Sequence, residues 1–598
     1  MPVGAGVARC PRRNFSGLRG GRRGNPCKSR RDWLHLGRHM RLNFNFTRCA
    51  RLVCAVATGV AAGCLPGCLR RESAVERGIR EQVLHRGVGP EIASLDPHLA
   101  TGTAEYNILS ALLEGLVTEN PADLSPEPGV AERWSISTDG LDYTFTLRED
   151  ARWSNGDPVT AGDFVASFKR MLSAPLAADY AHYLYIIRNA EAYHKGRLAD
   201  FSPVGAVAVD ARTLKITLEH PSADFLSMLN HTAFFPVHAG TVGKHGAIDS
   251  RANDWAAPGR FVGNGPFVLA EWRRGQKIVA RKSPTYWDAA NVRLNGIEFH
   301  TYESRDAEER AFRAGQLHLT ESLAPSKIDA YRRDAPHLLR VDPYLGTEFY
   351  RINTGLPFLS DARVRRALSL AIDRGLIATK ILRGAQTPAH GFTPPGAGGG
   401  VAPAGAAVGV GAISGDPRAA RELLAAAGYP GGKGAPRVEL LFNSSESHRA
   451  VAEAVQEMWR RELGLTVVLL NQENKVVLDA RRAGDYQVLR SAWMADYADA
   501  LSFLDIWRSS SGNNYTGWSD PGYDRLLHQA ARTADNAARA ALLRQAEDIL
   551  LEHSPMIPIY HYSHVFLIHP SVRNWHPTAL DHHPCKAVYL EDSARPAK

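Results

Sequence analysis

The sequence predicts an α/β protein that is divided into two or three domains. Its 598 residues exceed what a single hydrophobic core organises. Apolar residues make up 44% of the chain and charged residues 22%, as in ordinary soluble globular proteins. Between residues 438 and 489 strand and helix patterns alternate, which indicates a largely parallel sheet in that part of the chain.

Turn and cap signals mark the first elements of the body. Apolar residues from Asn107 to Leu116 recur at helical spacing. A turn at Asp139-Gly140 precedes the alternating strand from Tyr143 to Leu147, which is a hairpin signal. Thr160, with Asp163 three residues later, forms a capping box that predicts the start of a helix.

The middle of the chain continues with strands, a helix and a loop. β-rich sections are expected at 207–218 and 265–299. Ser360 is expected to cap an amphipathic helix that places Val364 and Leu368 on its apolar face. The Gly/Ala-rich segment 396–411 has neither charge nor periodicity, which indicates a mobile loop. It lacks the Lys-Ser/Thr ending of a phosphate-binding loop.

A βαβ unit follows, with a strand, a helix and a second strand expected at 438–442, 446–463 and 465–470. A helix from Asp479 and a strand from Tyr486 to Leu489 continue the alternation. Open sheets of this kind bind ligands beyond the carboxyl ends of their strands. The stretch from Arg490 to Tyr497 is therefore expected to form a binding site.

That stretch holds one base and one acid, Arg490 and Asp496, among aromatic and small apolar residues. A charge in such surroundings is retained when an opposite charge meets it. We interpret the pair as the residues that recognise the two ends of a short peptide. The alternative is that Arg490 and Asp496 pair with each other as a structural bridge.

The distribution of charge argues against a nucleic-acid partner. The chain has a formal net charge of +9, but residues 1–71 hold 15 Lys+Arg and one acid, or +14. The remainder therefore carries 9 − 14 = −5, and a mildly acidic body is not typical of a phosphate-binding surface.

The N-terminal segment has the features of an export signal. Residues 1–39 carry scattered arginines and no periodicity, which indicates an extension before the true start. Residues 40–68 combine a basic start, a short apolar run and small residues before Cys68, as in a signal peptide. Leu65-Pro66-Gly67 before Cys68 resembles a bacterial lipoprotein box and predicts lipidation there, with Cys64 as a weaker candidate.

Cysteine and histidine usage bounds the chemistry. Six of the seven cysteines lie in the leader, so no internal disulfide and no cysteine-based metal site is expected, and Cys585 is expected to be a lone, partly buried thiol. His561 and His564 lie in a strand-like segment, where their spacing places them on opposite faces, and a metal site is not predicted. No nucleophile, zinc or nucleotide motif is present, which indicates a protein that is not an enzyme and has no cofactor.

An ordered set of motifs runs from about residue 91 to residue 590: SLDPH (94–98), PGVAERW (128–134), TFTLR (144–148), WSNGDPVTAGDF (153–164), NG (264–265), SPTYW (283–287), DARVR (361–365) and WMADY (493–497). This set resembles the bacterial extracellular solute-binding proteins of peptide ABC importers, and most of all the periplasmic oligopeptide-binding proteins. Each motif is weak alone, but their order and spacing together are specific.

The resemblance implies a periplasmic-binding-protein-like fold of type II: a two-lobed hinged α/β clamp with an extra third domain. Domain I would comprise residues 72–113, 238–345 and 564–598. Domain II would comprise residues 114–237, and domain III residues 346–563. The lobes would close on an extended peptide, whose backbone is held like an added strand.

The resemblance also implies roles for individual residues. Asp496 matches the acid that pairs with the peptide α-ammonium. Tyr180 and the segment Gly102-Thr103 match contacts to the peptide backbone. Three cationic positions match residues that meet the peptide carboxylate at different ligand lengths: Arg490, Arg481 and His448. Two aromatic positions match residues that line the pocket: Trp493 and Tyr562.

Several positions depart from the family pattern. Gly346 and Met494 stand where relatives can carry two bridging cysteines, so this protein is expected to lack that disulfide. Other departures, which bear on ligand length and side-chain preference, are Leu382 beside Arg383, Ser322, Asn474 and Phe349.

The sequence thus predicts a monomeric, exported protein of the periplasm that binds short peptides and delivers them to an inner-membrane permease with its ATPase subunits. The alternatives are another ligand on the same fold (a murein peptide, a nickel chelate or haem), an exported peptide hydrolase, and a holdase-like or chemoreceptor-partner role. A free amine requirement at Asp496 would argue against ligands that lack an amine.

Overall fold

The computed structural model describes residues 72–592 except 223, 398–414 and 534. The described residues belong to one compact unit. The leader, with Cys68, and most of the Gly/Ala-rich loop lie outside them, so those predictions stay as they are. Within this part of the chain, no helix combines the length and the apolar character needed to cross a bilayer.

The described residues contain eighteen strands in five sheets. In chain order they are β1 Val83–Gly87, β2 Val117–Glu119, β3 Pro126–Pro128, β4 Ala131–Ile136, β5 Asp142–Leu147, β6 Ala206–Ala208, β7 Thr213–Thr217, β8 Phe267–Arg273, β9 Lys277–Lys282, β10 Gly296–His300, β11 Leu339–Ile352, β12 Thr387–Pro388, β13 Val438–Asn443, β14 Val467–Gln472, β15 Val488–Met494, β16 Met556–Leu567, β17 Val572–Arg573 and β18 Tyr589–Leu590.

Helices of very different length cover these sheets. In chain order they are α1 Ala74–Glu81, α2 Thr103–Leu112, α3 Ala161–Met171, α4 Ala190–His194, α5 Phe225–Met228, α6 Ala239–Lys244, α7 Arg305–Arg313, α8 Pro325–Asp334, α9 Ala362–Leu370, α10 Arg374–Leu376, α11 Pro417–Ala426, α12 Glu446–Leu463, α13 Asn474–Ala483, α14 Leu501–Leu504, α15 Pro521–Ala531 and α16 Asn536–His553. Short 3₁₀ segments join some of them, including Ala181–Ile186 and Thr232–Phe234.

The largest sheet has six strands in the order β12-β16-β11-β15-β13-β14. The predicted βαβ unit is confirmed, because β13 and β14 pair in parallel across α12. The parallel pairing expected for residues 438–489 is confirmed, because β13 pairs in parallel with both β14 and β15, whereas β11 pairs antiparallel with both β15 and β16. The sheet is therefore mixed, with parallel pairing confined to β15, β13 and β14.

Two long strands tie this sheet to a four-stranded sheet of order β1-β10-β9-β8. β11 and β16 pair along most of their length, and their register shifts between Pro343 and Thr347. Beyond that irregularity, Leu319 bridges Ile568 on one side and Arg86, in β1, on the other. The shift lies next to the expected boundary between domains I and III, at residues 345/346.

Three large apolar clusters fill the space between the sheets. The first cluster joins the four-stranded sheet to the sheet of β4, β5, β7 and β6, and holds Trp153 and Phe145. The other two lie against the six-stranded sheet, one around Trp459 of α12 and one around Phe349, Phe392 and Trp507.

Of the local predictions, the hairpin and the capping box are confirmed and the cap at Ser360 is wrong. The hairpin is confirmed, with Gly140 at a φ of 70° and β4 paired to β5. The capping box is confirmed too, since Thr160 Oγ1 accepts from the Asp163 N–H at 3.3 Å and Asp163 Oδ2 accepts from the Thr160 N–H at 2.8 Å. Ser360 was the wrong cap, because its hydroxyl donates to the Pro357 carbonyl (2.8 Å) and Asp361 caps α9.

Element bounds shift where a tertiary partner extends or ends them. The predicted helix from Asn107 to Leu116 begins earlier, at Thr103, and ends at Leu112, because Leu113 is extended. The helix expected from Asp479 begins at Asn474, where Glu473 caps it. The strand expected to end at Leu489 runs to Met494, because β11 pairs with it throughout.

Candidate functional site

Asp496 lies two residues beyond the carboxyl end of β15, beside a cavity. Its backbone N–H donates to Ser502 Oγ at 3.0 Å, and its carboxylate accepts a hydrogen bond from the Tyr183 hydroxyl. Although the residue keeps partial contact with solvent, desolvation raises the pKa of Asp496 to about 6, against the opposing effect of Tyr183. No lysine, arginine or histidine within the described ranges forms an ion pair with this carboxylate.

An aromatic group from the segment 114–237 faces Asp496. The Tyr183 ring stacks on His231, with centroids 4.4 Å apart, and Tyr180 meets both rings edge-on at 5.4 and 4.7 Å. Burial raises the pKa of Tyr180, and the nearby Asp496 carboxylate raises it further. The structure therefore brings the predicted Tyr180 and Asp496 together, although they are far apart in the sequence.

The cavity beside Asp496 has a volume of about 180 Å³ and a lining of both polar and apolar residues. Its lining includes Glu119, Asp123, Asn230 and His582. His582 Nδ1 lies 3.0 Å from Glu119 Oε1, so that acid already has a partner. The carboxylate of Asp496 is left to a group that enters from the cavity, and a cationic group is the one that would offset its burial.

Arg490 has a different environment from Asp496. Its guanidinium makes two parallel hydrogen bonds to the buried carboxylate of Glu348, with Nε 2.6 Å from Oε1 and Nη2 on Oε2. The Tyr562 hydroxyl joins this group, 2.9 Å from Arg490 Nη2 and 2.7 Å from Glu348 Oε2. The structural partner of Arg490 is therefore Glu348 across the β11–β15 pair, and the alternative bridge to Asp496 does not form.

The remaining predicted cations lie on the neighbouring helices. The His448 ring, at the start of α12, is close enough to Arg490 that burial and the guanidinium together lower the pKa of the imidazole. Arg481, near the end of α13, stacks on Tyr515 at 4.8 Å. The structure thus groups His448 with Arg490 and Tyr562, while the described contact of Arg481 is elsewhere.

The other predicted contacts line two walls near Asp496. The Trp493 indole N–H donates to the Ser502 carbonyl at 2.8 Å, the residue whose hydroxyl also holds the Asp496 N–H. Gly102 is an exposed, extended residue that caps α2, and Thr103 begins that helix. The Thr103 hydroxyl hydrogen-bonds to Tyr344, whose pKa is raised mainly by burial and further by nearby carboxylates, Asp581 before Asp496.

A family model places this site among known proteins. The model for bacterial extracellular solute-binding proteins, family 5, middle part, matches residues 125–515. The chain belongs to this family.

Individual family members match over most of their length. The periplasmic oligopeptide-binding protein OppA of Escherichia coli K12 is 35% identical over 523 residues, which cover 86% of this chain and 94% of OppA. A probable deoxycholate-binding periplasmic protein, YgiS of the same strain, is 37% identical over 523 residues, which cover 86% of this chain and 93% of YgiS. The structure of the E. coli murein tripeptide-binding protein MppA superposes with a TM-score of 0.75 at 35% identity, and covers 85% of this chain and 98% of that one.

The fold of this family 5 protein is that of the type II periplasmic binding proteins, as predicted. Gly346 and Met494, the positions predicted to lack the bridge, are direct cross-strand partners in β11 and β15. A Cβ at Gly346 would overlap the Met494 sulfur, so the pair is packed as glycine against methionine. Cys585 is a buried free thiol, as expected.

Sequence reasoning missed residues that the fold brings into the site. Glu348, Tyr183, Tyr344 and the Glu119–His582 pair are all separated from Asp496 and Arg490 by long stretches of chain. Glu348 alone carried a signal, since it is the one acid in a run that is mostly apolar and aromatic, LGTEFYRI. The two histidines weighed for a metal site have protein partners: His561 contacts Thr347 at 3.0 Å and His564 contacts Asp581 at 2.8 Å.

Proposed function

We propose that the protein captures short peptides with a free N-terminal amine in a closing cleft and delivers them to an ABC-type importer. The observation that carries this proposal is Asp496, a desolvated carboxylate beside a cavity, with a tyrosine hydroxyl as partner and no ion pair to any cation among the described residues. A buried charge of this kind gains most from a ligand that brings the opposite charge. A peptide α-ammonium supplies one.

The peptide backbone would lie between the wall of Tyr180 and the wall of Gly102 and Thr103. An extended chain between them can pair its N–H and C=O groups like an added strand. Trp493 and Tyr562 would line side-chain pockets. These roles are inferred from the position of each residue around Asp496.

The peptide carboxylate would meet Arg490, His448 or Arg481, depending on peptide length. Arg490 already shares its guanidinium with Glu348, so a carboxylate would use its remaining donor side, where Asn443 Oδ1 lies 3.4 Å from Nη1. His448 neighbours this group, and its imidazole would gain a proton more readily beside a peptide carboxylate.

We further propose that the protein acts without catalysis or cofactor, as a monomer in the periplasm. Its leader would direct export, and lipidation of Cys68 would anchor it to the membrane. The partners would be an inner-membrane permease and its ATPase subunits. The members of the family are solute-binding proteins. Incubation of the protein with peptide and a search for fragments would test the absence of hydrolysis.

Calorimetry tests the ligand class directly. The purified protein is unfolded and refolded to remove bound ligand, and tripeptides and tetrapeptides are titrated beside their N-acetylated forms. We expect free-amine peptides to bind and acetylation to abolish binding, because an amide cannot offset the Asp496 charge. Asp496→Asn should lose the preference for the amine, whereas Asp485→Asn, an exposed control, should not.

Other ligands are further arms of the same experiment. Murein tripeptide also carries an amine, and deoxycholate, a nickel chelate and haem do not carry an α-ammonium. Binding of deoxycholate, which bears a carboxylate, in preference to every peptide would overturn the proposal and leave the fold unaffected. Peptide uptake after deletion of the gene separates transport from a holdase-like or chemoreceptor-partner role.

A further inference from the structure

Three metal-ligating side chains meet on one face of the four-stranded sheet. His85 in β1 lies directly opposite Glu298 in β10, and the two strands are parallel. His300 follows Glu298 by two residues, so its side chain points to the same face. The atoms that converge are His85 Nδ1, His300 Nε2 and Glu298 Oε2.

The distances among these atoms form a nearly regular triangle. The two nitrogens are 3.2 Å apart, and each nitrogen is 3.5 Å from the carboxylate oxygen. Hydrogen bonds between imidazole and carboxylate are usually shorter, about 2.7 to 3.2 Å. In a tetrahedral zinc site with ligand bonds of about 2.0 to 2.1 Å, neighbouring ligand atoms lie roughly 3.3 to 3.4 Å apart. The triangle therefore has the size of one face of a zinc tetrahedron.

We propose that His85, Glu298 and His300 bind one Zn²⁺ ion, and that water or an external group takes the fourth position. Two imidazoles and one carboxylate are a ligand set that zinc takes in proteins, and an open fourth position is usual when the protein supplies three ligands. The site shares no residue with the proposed peptide site and does not depend on that proposal.

The surroundings hold the ligands in place and leave a path for the ion. The His85 side chain is 5% exposed, whereas Glu298 and His300 are 21% and 20% exposed, so the triangle is mostly buried and keeps partial contact with solvent. The backbone N–H of His85 donates to His318 Nδ1 at 2.9 Å, and the two rings stack with centroids 5.6 Å apart. The stacking restricts the orientation of the His85 imidazole.

Lys277 is the competitor for the ion. Its Nζ lies 2.8 Å from Glu298 Oε2, so the ammonium uses the same oxygen that zinc would use. A bound Zn²⁺ would have to displace this ammonium and would be repelled by it at short range. The arrangement therefore predicts that removal of the lysine charge strengthens zinc binding, which an ordinary hydrogen-bonded cluster does not predict.

The test is titration of the full chain, treated with EDTA and then freed of it, with Zn²⁺ alone in a calorimeter. We expect one ion per chain, and no comparable heat with Mg²⁺, which prefers oxygen ligands. Glu298→Gln and His300→Gln should each weaken binding at least tenfold, because a three-ligand site loses one ligand. His528→Gln, on the exposed face of α15, is the matched control and should bind zinc like the parent.

Lys277→Met gives the opposite sign and should bind Zn²⁺ more tightly than the parent. Co²⁺ in place of zinc should give the visible absorption of a tetrahedral site, absent in His300→Gln. Circular dichroism and peptide titration of each variant show whether it remains folded. Absence of stoichiometric zinc binding in the parent, or equal binding in the parent and in a folded His300→Gln, would overturn the proposal. If His300→Gln does not fold, weaker or equal zinc binding by Lys277→Met overturns it.

Discussion

At the scale of single residues, the site contains two carboxylates, Glu348 and Asp496, that differ in their partners. Glu348 is buried and satisfied, since Arg490 and Tyr562 both reach it. Among the described residues, Asp496 contacts the Tyr183 hydroxyl with its carboxylate and Ser502 with its backbone, and no cation pairs with it. Desolvation raises the pKa of Asp496 to about 6. Of the two carboxylates, Asp496 is therefore the one available for a ligand charge.

The raised pKa of Asp496 predicts how peptide affinity depends on pH. The α-ammonium pairs with the ionised carboxylate, so affinity should be constant between about pH 6 and the pKa of the peptide amine, about 8, and fall as the pH drops below 6, by up to about tenfold per unit. Without ligand the sign is reversed: the folded state holds its proton more tightly than the unfolded chain does, so the Asp496 contribution to stability is present at low pH and is lost as the pH rises through about 6.

Calorimetry at a series of pH values, in parent and Asp496→Asn proteins, measures this dependence. The step near pH 6 should vanish in Asp496→Asn, because an amide does not titrate. An unchanged step in that variant would assign it to another titrating group and would contradict the role of Asp496.

At the scale of elements, the decisive feature is the pairing of β11 with β15 on one side and with β16 on the other. These strands carry Glu348, Arg490 and Tyr562 to one point and deliver Asp496 just past the end of β15. The register shift between Pro343 and Thr347 interrupts the pairing where two sheets meet, and a bulge of this kind bends and twists a strand. Bending of a clamp would most easily occur there.

Gly346, within this irregular region, predicts a test of packing. Gly346→Ala should lower the free energy of unfolding by about 1 to 3 kcal/mol, because the new Cβ meets the Met494 sulfur and the Tyr562 ring. The double variant Gly346→Ala/Met494→Ala should recover part of that loss relative to the sum of the single variants. Urea unfolding of all four proteins completes the cycle, and strict additivity would show that the two side chains do not meet.

At the scale of the whole molecule, one guanidinium joins two segments that are predicted to belong to different domains. Arg539 of α16 donates to Asp499 at 2.6 and 2.8 Å and, with Nη2, to Asp224 at 2.8 Å. Asp224 belongs to the segment 114–237, and Arg539 and Asp499 to the segment 346–563. The guanidinium thus joins two parts of the chain on either side of the proposed peptide.

Removal of this contact should open the molecule. Asp224→Asn removes one charge and leaves the Arg539–Asp499 pair intact. We expect the loss of a charged hydrogen bond, about 1.5 to 3 kcal/mol in the closed form, to weaken peptide binding roughly tenfold to a hundredfold. Small-angle X-ray scattering of the ligand-free protein should show a larger radius of gyration. Asp254→Asn, which loses only a surface pair with Arg260, is the control, and equal effects of both changes would contradict the lobe-joining role.

The sequence by itself determined the features that depend on neighbours along the chain. The capping box at Thr160, the hairpin at Gly140 and the β13–α12–β14 unit follow from spacing and turn chemistry, and they were confirmed. The ordered motifs likewise fixed the family and the fold class. The cysteine count excluded a disulfide at Gly346 and Met494 before their contact was seen.

Only the tertiary structure determined which side chains pair with one another. No local pattern states that Arg490 pairs with Glu348, that Tyr183 reaches Asp496, or that His85 meets Glu298 and His300, because these contacts join strands and loops far apart in sequence. The ends of strands were also determined by tertiary contacts: β15 extends to Met494 because β11 forms hydrogen bonds with it there. Charges in a low-dielectric interior are settled by the nearest opposite group in space, and that neighbour is set by the fold rather than by the chain.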